Sequence, residues 1–199
     1  MFYRPAEGHG LPHDPFKAIV APRPIGWIST RDAEGRPNLA PYSFFNAVAS
    51  APPVVMFSSE SRKDSLRNIE ATGEFVCNFA SFDLREAMNA SSAPLAPGAS
   101  EFERAGLEMA ECEVVGAPRV ARAAAALECR LLKVVPLTDL DGSPTSATVA
   151  FGQVVGVHID DRFVRDGRFD LAAAHPIARC GYMDYASVDS LFAMVRPKA

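Results

Sequence analysis

Ile25–Thr30 reads IGWIST, Asn38–Ser43 NLAPYS, Phe44–Ala49 FFNAVA and Val54–Ser58 VVMFS. β-Branched and aromatic residues crowd the first and last of these, which suits a pleated chain with a buried face. Arg31–Gly35 (RDAEG) is a polar turn closed by glycine. Pro52 and Pro53 cannot sit inside a sheet, so they bound the strand that follows. VVMFS is an unbroken apolar run, the pattern of a strand covered on both sides. Helices do not regularly intervene between these strands, which argues against a doubly wound parallel sheet and for a β-barrel or sandwich with helices on the outside.

Downstream the pattern changes. Ser61–Ala71 (SRKDSLRNIEA) has Ser61 three residues before Asp64, the serine-x-x-acid form of a helix start. Leu66 and Ile69 would share its buried face, and Gly73 would stop it. Glu74–Phe79 (EFVCNF) reads as the next strand, and Asp83–Ala90 as a short helix capped by Asp83. Ser91–Ser100 is a loop by composition, and Phe102 begins another helical turn. Leu127, Cys129 and Leu131 alternate with Glu128 and Arg130, which places Glu128 on a wet face. Asp139–Pro144 is a turn. Ala147–Ile159 is the longest strand expected, with Val149, Phe151, Val155, Val157 and Ile159 on one face. Gly152 and Gly156 fall on the other, where a missing side chain permits a bend or a close approach. The sum is mainly β: a barrel or sandwich with a few short flanking helices, in one domain over 1–199. An N-terminal arm of about 1–16 and a C-terminal tail of about 186–199 flank it.

Composition narrows the function. The hydrophobic fraction is 48% and the charged fraction 22%, enough apolar area for a packed core. A formal net charge of −4 disfavours nucleic acid as a partner, because phosphate backbones are held by many cations. No stretch has the roughly 20 apolar residues needed to cross a bilayer, and the N-terminus lacks the apolar run of a signal peptide. A cytoplasmic protein is expected, with Cys77, Cys112, Cys129 and Cys180 as free thiols. Dinucleotide, nucleoside-triphosphate, zinc-protease and α/β-hydrolase motifs are all missing. No metal site is expected. His9 and His13 are split by Gly10 and Pro12, and His158, in the long strand, reads as structural.

Two segments carry chemistry. Ser58–Ser65 (SSESRKDS) sets the hydroxyls of Ser58, Ser59, Ser61 and Ser65 beside the cations Arg62 and Lys63, at the start of the expected helix. Free amides and the positive dipole end make such a start an anion site, here sized for one phosphate monoester. An ordinary solvated helix start has the same composition. Asn38–Asn46 alternates small residues and proline with amides, hydroxyls and aromatics, a strand that can lay its backbone against a planar heterocycle. A plain strand near a turn would look the same.

PRPIGWIST (Pro22–Thr30), NLAPYSFFNAV (Asn38–Val48), PPVVMFS (Pro52–Ser58), RKDSLRNI (Arg62–Ile69) and GEFVCN (Gly73–Asn78) occur in that order. The series resembles the flavin reductase-like, FMN-binding split-barrel family, the branch with flavoredoxin and the reductase components of two-component monooxygenases. The resemblance implies a Greek-key-like split β-barrel that binds FMN. It implies that Asn38, Ala40, Pro41, Tyr42 and Ser43 contact the isoalloxazine and ribityl parts. Ser58, Ser59, Arg62, Lys63, Asp64 and Ser65 would hold the phosphate, with Thr30 facing the flavin edge. Ser65 stands where many relatives carry threonine, which keeps the hydroxyl. It further implies a homodimer with flavin near the subunit interface, NAD(P)H as transient donor and a possible monooxygenase partner. The segment Ala178–Tyr185 continues the resemblance, but Cys180 interrupts the expected glycine pair and leaves Arg179 without an assigned role. One function that follows is NAD(P)H-dependent reduction of FMN, with no catalytic side chain required because the cofactor carries the chemistry. The alternatives are a non-enzymatic flavoredoxin-like carrier, and a related barrel put to another phosphate ligand or to flavin-free binding.

Overall fold

The computed structural model describes residues 1–95 and 99–197. The expected loop over Ser91–Ser100 and the tail of about 186–199 therefore lie partly outside the described residues.

Seven strands form the main sheet: β1 (Gly26–Arg31), β2 (Pro37–Tyr42), β3 (Phe45–Ser50), β4 (Pro53–Ser59), β5 (Glu74–Phe79), β6 (Ala125–Thr138) and β7 (Pro144–Ile159). Their order is β2-β1-β5-β6-β7-β4-β3, and every neighbouring pair is antiparallel. The edge strands β2 and β4's neighbour β3 are consecutive in the chain, so the two ends of the sheet return toward each other. Tyr42 of β2 reaches Phe57 of β4, ring centroids 4.7 Å apart, across this split. Helix α1 (Asp64–Thr72) closes the opening, with Leu66 and Ile69 buried in the same cluster as Ile28, Phe57, Phe75 and Ala150. A second cluster, built on Trp27, Leu39, Met88, Phe102 and Val120, covers the other side of β1 and β2. Trp27 and Ile28 are thus both fully buried although they point to opposite faces.

Three local expectations are corrected. Helix α1 begins at Asp64, not Ser61, and its N-cap is Lys63, with no capping side chain. Ser61 is diverted: its carbonyl accepts from the Lys63 amide at 2.9 Å and from the Ser59 hydroxyl at 2.6 Å, which forms a turn before the helix. Asp83 caps nothing either. It lies inside a single 3₁₀ turn, Phe82–Leu84, that leads into α2 (Arg85–Ala90). Glu128 is buried rather than wet, because the segment before Val115 folds over it.

The close approach that Gly152 permits is made on the inner face of the long strand. Ala150, Gly152 and Val154 face the barrel interior, whereas Val157 is 58% and Ile159 45% exposed. Both faces of β7 are apolar, so alternation alone could not choose between them. The choice is made by the bulk of Phe57 and Phe75 inside a small barrel, which leaves room only for small residues opposite. A Cβ on Gly152 would lie 2.3 Å from the Phe75 ring. Register shifts at Phe151/Gly152 and Val154/Gly156 bend the strand there.

Edge strand β2 has an unusual outer rim. The Leu39 amide points away from β1, since it donates to Glu101 Oε2 at 3.2 Å. By alternation Pro37, Leu39 and Pro41 face outward. Pro37 and Pro41 have no amide hydrogen, so the rim offers carbonyl acceptors and no free donor.

Candidate binding site at the barrel split

The sequence-chosen segments meet here. Asn38 Nδ2 donates to Ser65 Oγ at 2.9 Å and to Thr30 Oγ1 at 3.3 Å, and Asn68 Nδ2 donates to Thr30 Oγ1 at 3.0 Å. All four residues are buried. These side chains tie α1 to β1 and β2 and are occupied with one another. What they leave to a ligand is position, not free hydroxyls. Asn68 was missed in the sequence, yet Ser65 and Asn68 are three apart and share a helix face.

Ser59 is buried, and the Tyr42 hydroxyl lies beside Ser59 and Ser65, buried and without a hydrogen-bond partner. Burial raises the Tyr42 pKa, against the smaller opposing pull of the Ser65 and Ser59 hydroxyls, so the phenol stays neutral. Ala40 and Pro41 on β2, Ser43 just after it and Ser58 on β4 are half-buried.

Arg62, Lys63 and Asp64 are exposed at the helix start. The first intrahelical bond runs from the Arg67 amide to the Lys63 carbonyl, 3.2 Å. The amides of Asp64, Ser65 and Leu66 precede it and have no helical acceptor. Arg62 is paired with Glu70, and Arg67 with Asp64. Lys63 has no carboxylate within ion-pair distance among the described residues. Lys17, 3.5 Å from Glu60, and Arg23 flank Phe44, their cationic groups 5.6 and 5.8 Å from its ring centre. Neither was singled out in the sequence, because only the fold brings residues 17 and 23 to the strand end at 44. The site is an open rim, positive at one end and lined with acceptors along the other. A cavity of about 400 Å³ lies elsewhere, lined by none of these residues.

A second buried constellation sits on β6. Glu128 accepts from the amides of Glu113 (3.0 Å), Val114 (2.7 Å) and Val115 (2.8 Å), and lies 2.6 Å from His158 Nε2. Burial opposes its charge, but these bonds outweigh burial and hold its pKa below the usual carboxylate value. Cys112 joins the group, its donor atom within 4.8 Å of the other two. Burial first, then the Glu128 charge, pushes the Cys112 thiol up to about 12. Both Glu128 oxygens are saturated with donors, so the cluster pins the 113–115 segment to the sheet. All four cysteines are free thiols.

Residues 20–170 match the family model described as a flavin reductase like domain. An uncharacterized protein of Halalkalibacterium halodurans is 36% identical over 183 residues, covering 89% of this chain and 87% of that protein. Nitrilotriacetate monooxygenase component B from Bacillus cereus has 32% identity and a TM-score of 0.88, covering 98% of both chains. Flavoredoxin of Desulfovibrio vulgaris shares the fold, at 22% identity and a TM-score of 0.77 over 88% of this chain and 91% of that one. No helix among the described residues is long and apolar enough to cross a membrane.

Proposed function

Because the chain belongs to the flavin reductase-like family and has its split-barrel fold, we propose that it binds FMN at the barrel split and reduces it with NAD(P)H. The observation that carries this reading is the uncapped start of α1, with Lys63 unpaired among the described residues, together with the donor-free rim of β2. A phosphate monoester fits the first: three free amides, the dipole end and one cation. A heterocycle with a ring N–H fits the second, because the rim presents carbonyls. The Tyr42 hydroxyl, buried and without a hydrogen-bond partner among the described residues, lies beside Ser65 at the helix start.

FMN, when bound, supplies the acceptor for a hydride. The rest falls to the chain. Lys63 and the free amides anchor the phosphate, Arg62 adds a forked donor when it leaves Glu70, and the Thr30–Asn38–Ser65–Asn68 bonds keep helix and strand at fixed separation. Positioning is the main service such a reaction asks of a protein. Exposed apolar residues occur at both ends of the two longest strands, among them Leu132, Leu137, Val157 and Ile159, which supports a homodimer. The likeness to a monooxygenase component supports a monooxygenase as consumer of the reduced flavin.

The test mixes purified protein with FMN and either NADH or NADPH and follows nicotinamide absorbance. Oxidation above the protein-free rate is expected with one of the two. No FMN fluorescence quenching and no oxidation would refute the proposal. Tight FMN with negligible oxidation would instead identify an electron carrier.

A further inference from the structure

The cavity of about 400 Å³ lies between α2 and the hairpin of β8 (Ile177–Gly181) and β9 (Asp184–Ser187). Its volume is in the range of small-molecule sites. Two guanidinium groups line it, and each lies over an aromatic ring. Arg85 lies 4.0 Å over Phe82, and Arg179 lies 4.6 Å over Tyr185. Phe82 is itself backed by His175, stacked at 4.9 Å. Backbone bonds fix one end of each cation: Arg85 Nη1 donates to the Phe82 carbonyl at 2.8 Å, and Arg179 Nη2 to that of Tyr182. Arg85 Nη2 and Arg179 Nε and Nη1 keep their donors free among the described residues. The one acid on the wall, Glu86, is 85% exposed and reaches only Arg85 Nε, at 3.5 Å. The wall also carries the buried apolar side chains of Met88 and Ile177 and the neutral polar ones of Asn89 and Ser187.

We propose that this cavity binds a small aromatic carboxylate. The guanidinium groups, each set over an aromatic ring, offer planar forked donors, which is the geometry a carboxylate accepts. The thioether and aliphatic wall takes the ring. Arg179, without an assigned role in the sequence, gains one here. The site shares no residue with the barrel split and stands whether or not flavin binds there.

The experiment titrates the full-length protein with benzoate, with its neutral isostere benzamide and with inorganic phosphate, read by calorimetry or ligand-observed NMR. Benzoate is expected to bind at least about tenfold tighter than either of the others. Arg85→Gln and Arg179→Gln should each weaken benzoate by about tenfold, while Lys63→Ala leaves it unchanged. The comparison of benzoate with benzamide uses the unmodified protein, so it holds even if a variant misfolds. Equal binding of benzamide, phosphate binding as tightly as benzoate, or loss of benzoate only in Lys63→Ala would each overturn the proposal.

Discussion

Replacing Lys63 by alanine should weaken FMN while sparing riboflavin, which lacks the phosphate. Among the described residues Lys63 has no ion-pair partner and stands at an uncapped helix start, so its ammonium can meet a phosphate without breaking such a contact. A hydrogen bond to a charged group contributes about 1.5–3 kcal/mol, and an exposed one belongs at the low end. About 1.5 kcal/mol is a loss of roughly tenfold in affinity. Arg62 must first leave Glu70, an exposed pair worth up to about 1 kcal/mol, so Arg62→Ala should cost less than Lys63→Ala. By the same reasoning Glu70→Gln should tighten FMN by up to about fivefold, since it removes Arg62's competing partner. Fluorescence-quenching titrations with FMN and riboflavin at fixed salt measure all three. Equal losses for both ligands in Lys63→Ala, or a tighter grip on riboflavin than on FMN in Glu70→Gln, would refute the assignment of this helix start to a phosphate.

Glu128→Gln should destabilise the fold by about 2–3 kcal/mol at neutral pH, because an amide group must then face backbone donors. The Glu128 pKa is depressed in the folded state, so its contribution is present above the unfolded value near 4.5 and is lost as the pH falls through the folded one. Denaturant melts of wild type and variant should therefore converge in acid. Gly152→Ala should cost about 1–3 kcal/mol, as its Cβ would overlap the fully buried Phe75 ring, and chemical denaturation measures it. Asn38→Ala removes the bonds to Ser65 and Thr30 and should cost about 1–3 kcal/mol, with FMN affinity falling as helix and strand lose their spacing.

Much of this was readable in advance. IGWIST, NLAPYS and VVMFS became β1, β2 and β4 within a residue or two, because β-branched pattern and proline punctuation are local signals. The ordered series of segments carried the family. What escaped was set by tertiary contact. Ser61–Asp64 has the look of a capping box, but Ser59 and Lys63 claim the Ser61 carbonyl first. Glu128 alternates like a surface residue, and only a segment more than ten residues upstream in the chain makes it buried. The inward face of β7 was chosen by Phe75, a neighbour two strands away, rather than by β7's own apolar pattern.

The proline-bearing rim of β2 has a consequence for the crowded life of a polypeptide. An open sheet margin normally invites a foreign strand to zip onto it, the first step toward fibrils. Here Pro37 and Pro41 supply no hydrogen to share, and Glu101 has already claimed the Leu39 amide. The barrel can keep its seam ajar for a guest molecule without inviting its own kind to polymerise along it.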